Sequence, residues 1–104
     1  MENMELICFQ IIAASGSAKS MYVEAIQEAK KGNFEKAKEF TQEGQKLFLE
    51  AHKAHAGLIQ KEASGEKVEF SLLLMHSEDQ LMNTETTKLM ALEMIELYEK
   101  LNAK

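Results

Sequence analysis

His76 and Asp79 are the residues in this chain whose types and spacing best suit chemistry. They stand three residues apart in Ser71-Leu-Leu-Leu-Met-His-Ser-Glu-Asp-Gln-Leu-Met82, and on a helix that spacing puts two side chains on one face. Asp79 is the single aspartate in the chain, against sixteen glutamates. Extended in alternating steps of four and three, the face reads Leu72, His76, Asp79, Asn83, Thr86, Met90, and after a shift of one Met94, Leu97, Leu101. This is a heptad-like seam with an imidazole and a carboxylate at core positions. A neutral imidazole is a good nucleophile near pH 7, because its unperturbed pKa is about 6.5. A carboxylate on such a seam is costly unless it is paired or bound to a metal. If copies of the seam meet, each brings its own carboxylate, and the cluster either raises its pKa values or recruits a cation that prefers oxygen, such as Mg²⁺.

The competing reading of His76 is a core histidine with its hydrogen bonds satisfied. Elsewhere the chemistry is thinner. His52 and His55 in Glu50-Ala-His-Lys-Ala-His55 supply two ligands of a metal site, with no cysteine or further histidine nearby to complete one. The seven methionines fall at helical spacing and read as core filler. Glu78, Glu85, Glu93, Glu96 and Glu99 read as a solvated face away from the seam. There is no glycine-rich phosphate loop and no serine–histidine–aspartate constellation.

The elements that position these groups are helices. The chain has 104 residues, no proline and only five glycines, a composition for one all-α domain with a single core. The sequence divides at Lys30-Lys31-Gly32-Asn33 and at Ser64-Gly65-Glu66-Lys67. In the first, Asn33 is expected to cap the following helix. Helical periodicity predicts segments over about 3–31, 34–63 and 69–102. Short connections make neighbours antiparallel, so the expected fold is an up-down-up three-helix bundle. The small residues Ala13-Ala-Ser-Gly-Ser-Ala18 predict a close-packing point or mild kink at Gly16. The second segment turns Phe34, Ala37, Phe40, Leu47, Phe48, Ala51, Ala54, Leu58 and Ile59 inward. In the third, Leu74, Leu81, Leu89, Leu92 and Ile95 lie away from His76, and one pair of partner helices cannot cover both these and the seam. That surplus predicts a homo-oligomer in which the third helix packs on its own copies, as a dimer or a cyclic trimer.

Composition also excludes partners. A net charge of −5 and the absence of arginine argue against nucleic acid and polybasic membrane attachment. The lone Cys8 sits in an apolar run and fits buried packing in a reducing compartment. That run follows Glu2 and Glu5 and contains Gln10, which suits neither a secretory signal nor a membrane span, so the expected location is the cytoplasm.

The segment Gly65-Glu-Lys-Val-Glu-Phe-Ser71 followed by Leu72-Leu-Leu-Met-His-Ser-Glu-Asp-Gln-Leu-Met82 resembles the active-site region of the lactose/cellobiose-type IIA components of the bacterial phosphoenolpyruvate-dependent sugar phosphotransferase system. Gly32-Asn-Phe-Glu-Lys-Ala37, Glu50-Ala-His52 and Ala14-Ser-Gly-Ser-Ala-Lys-Ser20 carry the likeness across essentially the whole chain. The resemblance implies a three-helix bundle assembled as a homotrimer. It implies that His76 accepts a phosphoryl group from the phosphocarrier HPr and passes it to a cysteine of the IIB component. It also implies that Asp79 from each protomer shares one central metal, Mg²⁺ by the oxygen-donor argument above. The chain departs from the family's pattern at Glu78, where Gln is common, at Gln80, where a second His is often found, and at Ser17, often acidic. Auxiliary phosphoryl contacts at 78 and 80 are therefore not carried over. With no arginine, charge stabilisation must come from a partner, from backbone donors, or from groups such as Ser77 and Gln80. The alternative function is a helical interaction module in which His76 and Asp79 only fix register and oligomeric state.

Overall fold

A computed structural model describes residues 3–103 as three helices, α1 (Met4–Lys30), α2 (Phe34–Ala63) and α3 (Leu72–Asn102), with no strand among the described residues. They run up, down and up in a rod 56 Å long and 19 Å across. α1 packs extensively on both other helices, whereas α2 and α3 touch each other far less. This central position explains the apolar composition of α1, a helix long and apolar enough by those measures alone to cross a membrane. Its inward stripe Ile7, Cys8, Ile11, Ser15, Ala18, Tyr22, Ala25 and Ala29 is buried against two neighbours.

Three of the helix ends have an identifiable cause in the sequence. The Asn3 side chain accepts the Glu5 N–H at 2.9 Å and starts α1. Gly32, at φ 85°, reverses the chain after α1 in the left-handed conformation that glycine adopts without a Cβ penalty. Backbone bonds from Gly32 N to Ala29 O (3.0 Å) and from Asn33 N to Glu28 O (2.9 Å) close that turn. The expectation that Asn33 caps α2 fails. Asn33 occupies the cap position, but its side chain makes no cap bond and reaches back to donate to Glu28 Oε1 at 3.0 Å. Glu28 also takes Lys31 Nζ at 3.4 Å. The Asn33 bond, ahead of the lysine charge, holds the Glu28 carboxyl below its ordinary 4.5.

α3 begins three residues later than the predicted 69. Residues 66–71 have no regular structure, and Ser71 is the cap: its Oγ accepts Leu74 N–H at 3.1 Å. Val68 and Phe70 continue the apolar pattern upstream, but a serine whose hydroxyl takes the helix's free N–H fixes the start.

One core cluster joins Ile7, Cys8, Ile11, Ala18 and Tyr22 of α1 to Phe48, Ala51 and Leu58 of α2 and to Leu74, Leu81 and Ala91 of α3. Gly44 of α2 is buried beneath Tyr22, where an added Cβ would lie 3.0 Å from Tyr22 Cζ. The phenol reaches past it to donate to Gln45 Oε1 at 3.3 Å, and burial pushes the Tyr22 pKa up. The close approach expected at Gly16 is absent within the protomer. A Cβ there would meet nothing within 4 Å, and α1 runs through it unbroken. Ile59, assigned to the inward stripe of α2, is half exposed. Leu89 and Leu92 of α3 are also exposed, while Leu74 and Leu81 are buried as expected.

Candidate functional site

α3 divides lengthwise into two faces. Leu74, Ser77, Leu81, Thr84 and Ala91 form the buried one. Every residue of the seam read from the sequence (Leu72, His76, Asp79, Asn83, Thr86, Met90, Met94, Leu97 and Leu101) is exposed. Among the described residues nothing in the chain covers it. Leu72 keeps 81 % of its surface and Leu97 57 %, far more apolar exposure than scattered surface leucines explain.

His76 stands on this open face, in the second turn of α3. No side-chain hydrogen bond engages its ring among the described residues, and it lines none of the bundle's principal grooves. The core-histidine reading is therefore excluded within the protomer. Asp79 is exposed one turn further on. Its backbone carbonyl accepts Asn83 Nδ2–H at 3.1 Å, and its carboxylate has no side-chain partner among the described residues. No group of three or more histidines, cysteines or acids able to hold a metal gathers among the described residues. One copy of Asp79 thus offers a free hard-oxygen ligand and one copy alone does not build a cage.

Two other residues of the segment differ from expectation. Ser77 is fully buried and its hydroxyl donates to Leu74 O at 2.8 Å, so it is removed from the groups able to reach a phosphoryl on His76. Glu78 does not belong to a solvated face. It is half-buried, and His55 Nε2–H of α2 donates to its Oε2 at 2.8 Å. His52 diverges from His55, its ring stacked on Phe48 with centroids 6.1 Å apart, while Lys88 Nζ lies 5.2 Å from the centre of the same Phe48 ring. The two imidazoles of α2 therefore make no shared site. The His55–Glu78 contact was missed in the sequence, although one signal pointed to it. His55 lies four residues after Ala51 and three before Leu58, both buried, at the border of the inward stripe.

A slim helical domain that presents an exposed imidazole on an unpartnered apolar face is of the class that meets other macromolecules through its surface. Comparison with known proteins makes that class specific. The family model described as "PTS system, Lactose/Cellobiose specific IIA subunit" matches residues 6–99. The chain belongs to this family. It is 48% identical over 100 residues to the lichenan-specific phosphotransferase enzyme IIA component of Bacillus subtilis (strain 168), covering 96% of this chain and 91% of that one. The crystal structure of the cellobiose-specific enzyme IIA from Bacillus anthracis superposes with a TM-score of 0.94 at 46% identity, covering 100% of this chain and 96% of that chain. A solution structure of the IIA(chitobiose)–HPr complex from the N,N'-diacetylchitobiose branch of the Escherichia coli phosphotransferase system superposes with a TM-score of 0.79 at 31% identity, covering 98% of this chain and 99% of the other.

Proposed function

We propose that this chain is a cytoplasmic phosphoryl carrier that takes the group from phospho-HPr onto His76 and hands it to a cysteine of a IIB component during uptake of a lactose/cellobiose-type sugar. The observation that carries the reading is the free, exposed ring of His76, in the His-x-x-Asp segment of a chain matched nearly end to end by IIA proteins. The related IIA(chitobiose) in complex with HPr supports HPr as donor. In the first step the neutral Nε2 of His76 attacks phosphorus. The P–N bond to the donor histidine breaks as the P–N bond to His76 forms, and the donor ring keeps the electron pair. In the second step a IIB thiolate attacks phosphorus, the S–P bond forms as the P–N bond to His76 breaks, and the His76 ring keeps the electron pair. Both exchanges need positioning and charge stabilisation rather than covalent help from the protein. Exposure on a convex helix suits two successive partners.

The open seam supports self-association through α3, and the family resemblance favours three copies over two, as a three-fold homotrimer with His76 in a crevice at the edge of the contact. Three Asp79 carboxylates converging on the axis would repel one another where water is scarce, and a shared Mg²⁺ offsets that repulsion. Asp79 then serves the assembly, and His76 the transfer.

Incubation with phosphoenolpyruvate, enzyme I and HPr should add one acid-labile phosphoryl group per chain. His76→Gln should abolish that mass increase with helicity intact, whereas His52→Ala should retain it. Phosphorylation that survives His76→Gln refutes the reading. Asp79→Leu should release the ion, measured by metal analysis, and leave His76 phosphorylatable; the trimer should persist, because apolar residues often outperform a buried charge cluster.

A further inference from the structure

We propose that His55 is a positioning residue for His76, acting through Glu78. The inference rests on His76 being the phosphoryl acceptor and concerns what aims it. Side-chain hydrogen bonds cross between helices at three places among the described residues, one for each pair. Tyr22 to Gln45 joins α1 and α2, Thr84 to the Ser15 carbonyl joins α1 and α3, and His55 to Glu78 joins α2 and α3. The third matters most for the acceptor. α2 and α3 share little other packing, and the bond falls in the second turn of α3, the same turn as His76. Just upstream, residues 66–71 have no helix or strand, and that end of α3 is held by the Ser71 cap and by Val68 and Leu73 packed against the core.

Helical geometry turns this bond into an aiming device. Glu78 follows His76 by two residues, roughly 200° around the axis, so the two side chains leave the helix on nearly opposite sides. Ser77, between them, is fully buried against the bundle and small enough to let α3 settle closely there. It acts as the pivot about which the first turns of α3 can roll. On one side the roll is fixed by the 2.8 Å bond to His55, whose ring is itself largely covered. On the other side the His76 ring is exposed and has no side-chain hydrogen-bond partner among the described residues. Leu74 and Leu81 keep α3 seated in the core, so releasing the tether on the Glu78 side frees only the turn that carries both residues and shifts the imidazole off the line of attack; a misplacement on the order of 1 Å is enough to slow a reaction that depends on alignment. His52, three residues before His55, stacks on Phe48 and makes no side-chain hydrogen bond to α3 among the described residues, so it serves as the internal control.

The test is single-turnover phosphorylation of the full chain by excess phospho-HPr, followed for its maximal rate and for the donor concentration that gives half of it. His55→Ala and Glu78→Ala should each lower the maximal rate by roughly tenfold, the scale of one hydrogen bond, with the half-saturating concentration unchanged. The double variant should be no slower than either single one. His55→Gln, whose amide can still donate to the carboxylate, and Glu78→Gln, whose amide oxygen can still accept from His55, should restore the rate. His52→Ala should match the native chain. If His55→Ala or Glu78→Ala destabilises the fold, the two glutamine variants still decide, because their rates must stay near native. A native maximal rate in His55→Ala, with the phosphoryl still mapped to His76, overturns the proposal and leaves the carrier function standing. A slow His55→Gln that melts at the native temperature overturns it as well. Failure of the native chain to become phosphorylated would instead refute the carrier function.

Discussion

The two faces of α3 carry polar residues for opposite reasons. On the inward face Ser77 and Thr84 are buried, small, and bonded to backbone carbonyls, Ser77 to Leu74 and Thr84 to Ser15 at 2.9 Å. Their hydroxyls are used up by the fold. On the outward face His76 and Asp79 are exposed, with side chains free of partners among the described residues. The apolar residues divide in the same way. Leu74 and Leu81 are covered by this chain, whereas Leu72, Met90 and Leu97 are not. The comparison teaches that one helix can complete its own fold with half its circumference and leave the other half, with its chemistry, for other molecules. Hydrophobicity alone does not separate the halves.

The largest effect should come from charging the outward face. Met90→Glu with Leu97→Glu should convert the proposed trimer to monomers by sedimentation equilibrium while far-UV helicity stays native, because neither side chain is part of the protomer core. A native chain that sediments as a monomer at micromolar concentration would instead break the comparison outright. Next in size, Leu81→Ala on the inward face should cost about 2–5 kcal/mol in denaturant unfolding. Leu72→Ala, at the outer start of the same helix, should cost well under half of that in a chain made monomeric by the two glutamates. Equal losses would mean that the faces are not distinct.

The smallest effect is a control away from α3. The Glu28 carboxyl is held below its ordinary 4.5 by Asn33 and Lys31, so its contribution is present above that value and is lost as pH falls through the lower folded-state pKa. Asn33→Ala should therefore reduce the melting temperature slightly near neutral pH and progressively less as pH falls below the ordinary 4.5 and through the lower folded-state pKa. An acid-independent difference would show that the α1–α2 turn owes nothing to this carboxylate.

Much of the fold was legible because helices repeat. The periodic segments, the glycine stop at Gly32 and the seam from Leu72 to Leu101 follow from spacing alone. So does the isolation of His76 and Asp79 on that seam, since a three-residue step fixes two side chains on one side of any helix. Misreadings occurred where a residue has two local options. Asn33 is a cap by type, yet its amide bonds backwards to Glu28. Ser71 lies in a stretch whose Val68 and Phe70 extend the apolar pattern, and only its hydroxyl bond to Leu74 marks the start of α3. Gly16 is predicted to be a close-packing point, yet a Cβ there would meet nothing within 4 Å, whereas Gly44, which no pattern in the sequence singles out, takes the Tyr22 ring.

The sequence by itself determined which residues share a helical face, because that depends only on the rise and turn of one helix. It therefore placed His76 with Asp79 and identified a seam larger than one chain can cover. Tertiary structure decided which faces meet. Whether Glu78 points to water or to His55, whether Ser77 is available or consumed, and whether Tyr22 finds a glycine opposite all depend on the relative height and rotation of separate helices. Those relations are set by side-chain interlocking summed over the whole core, and no local spacing encodes them.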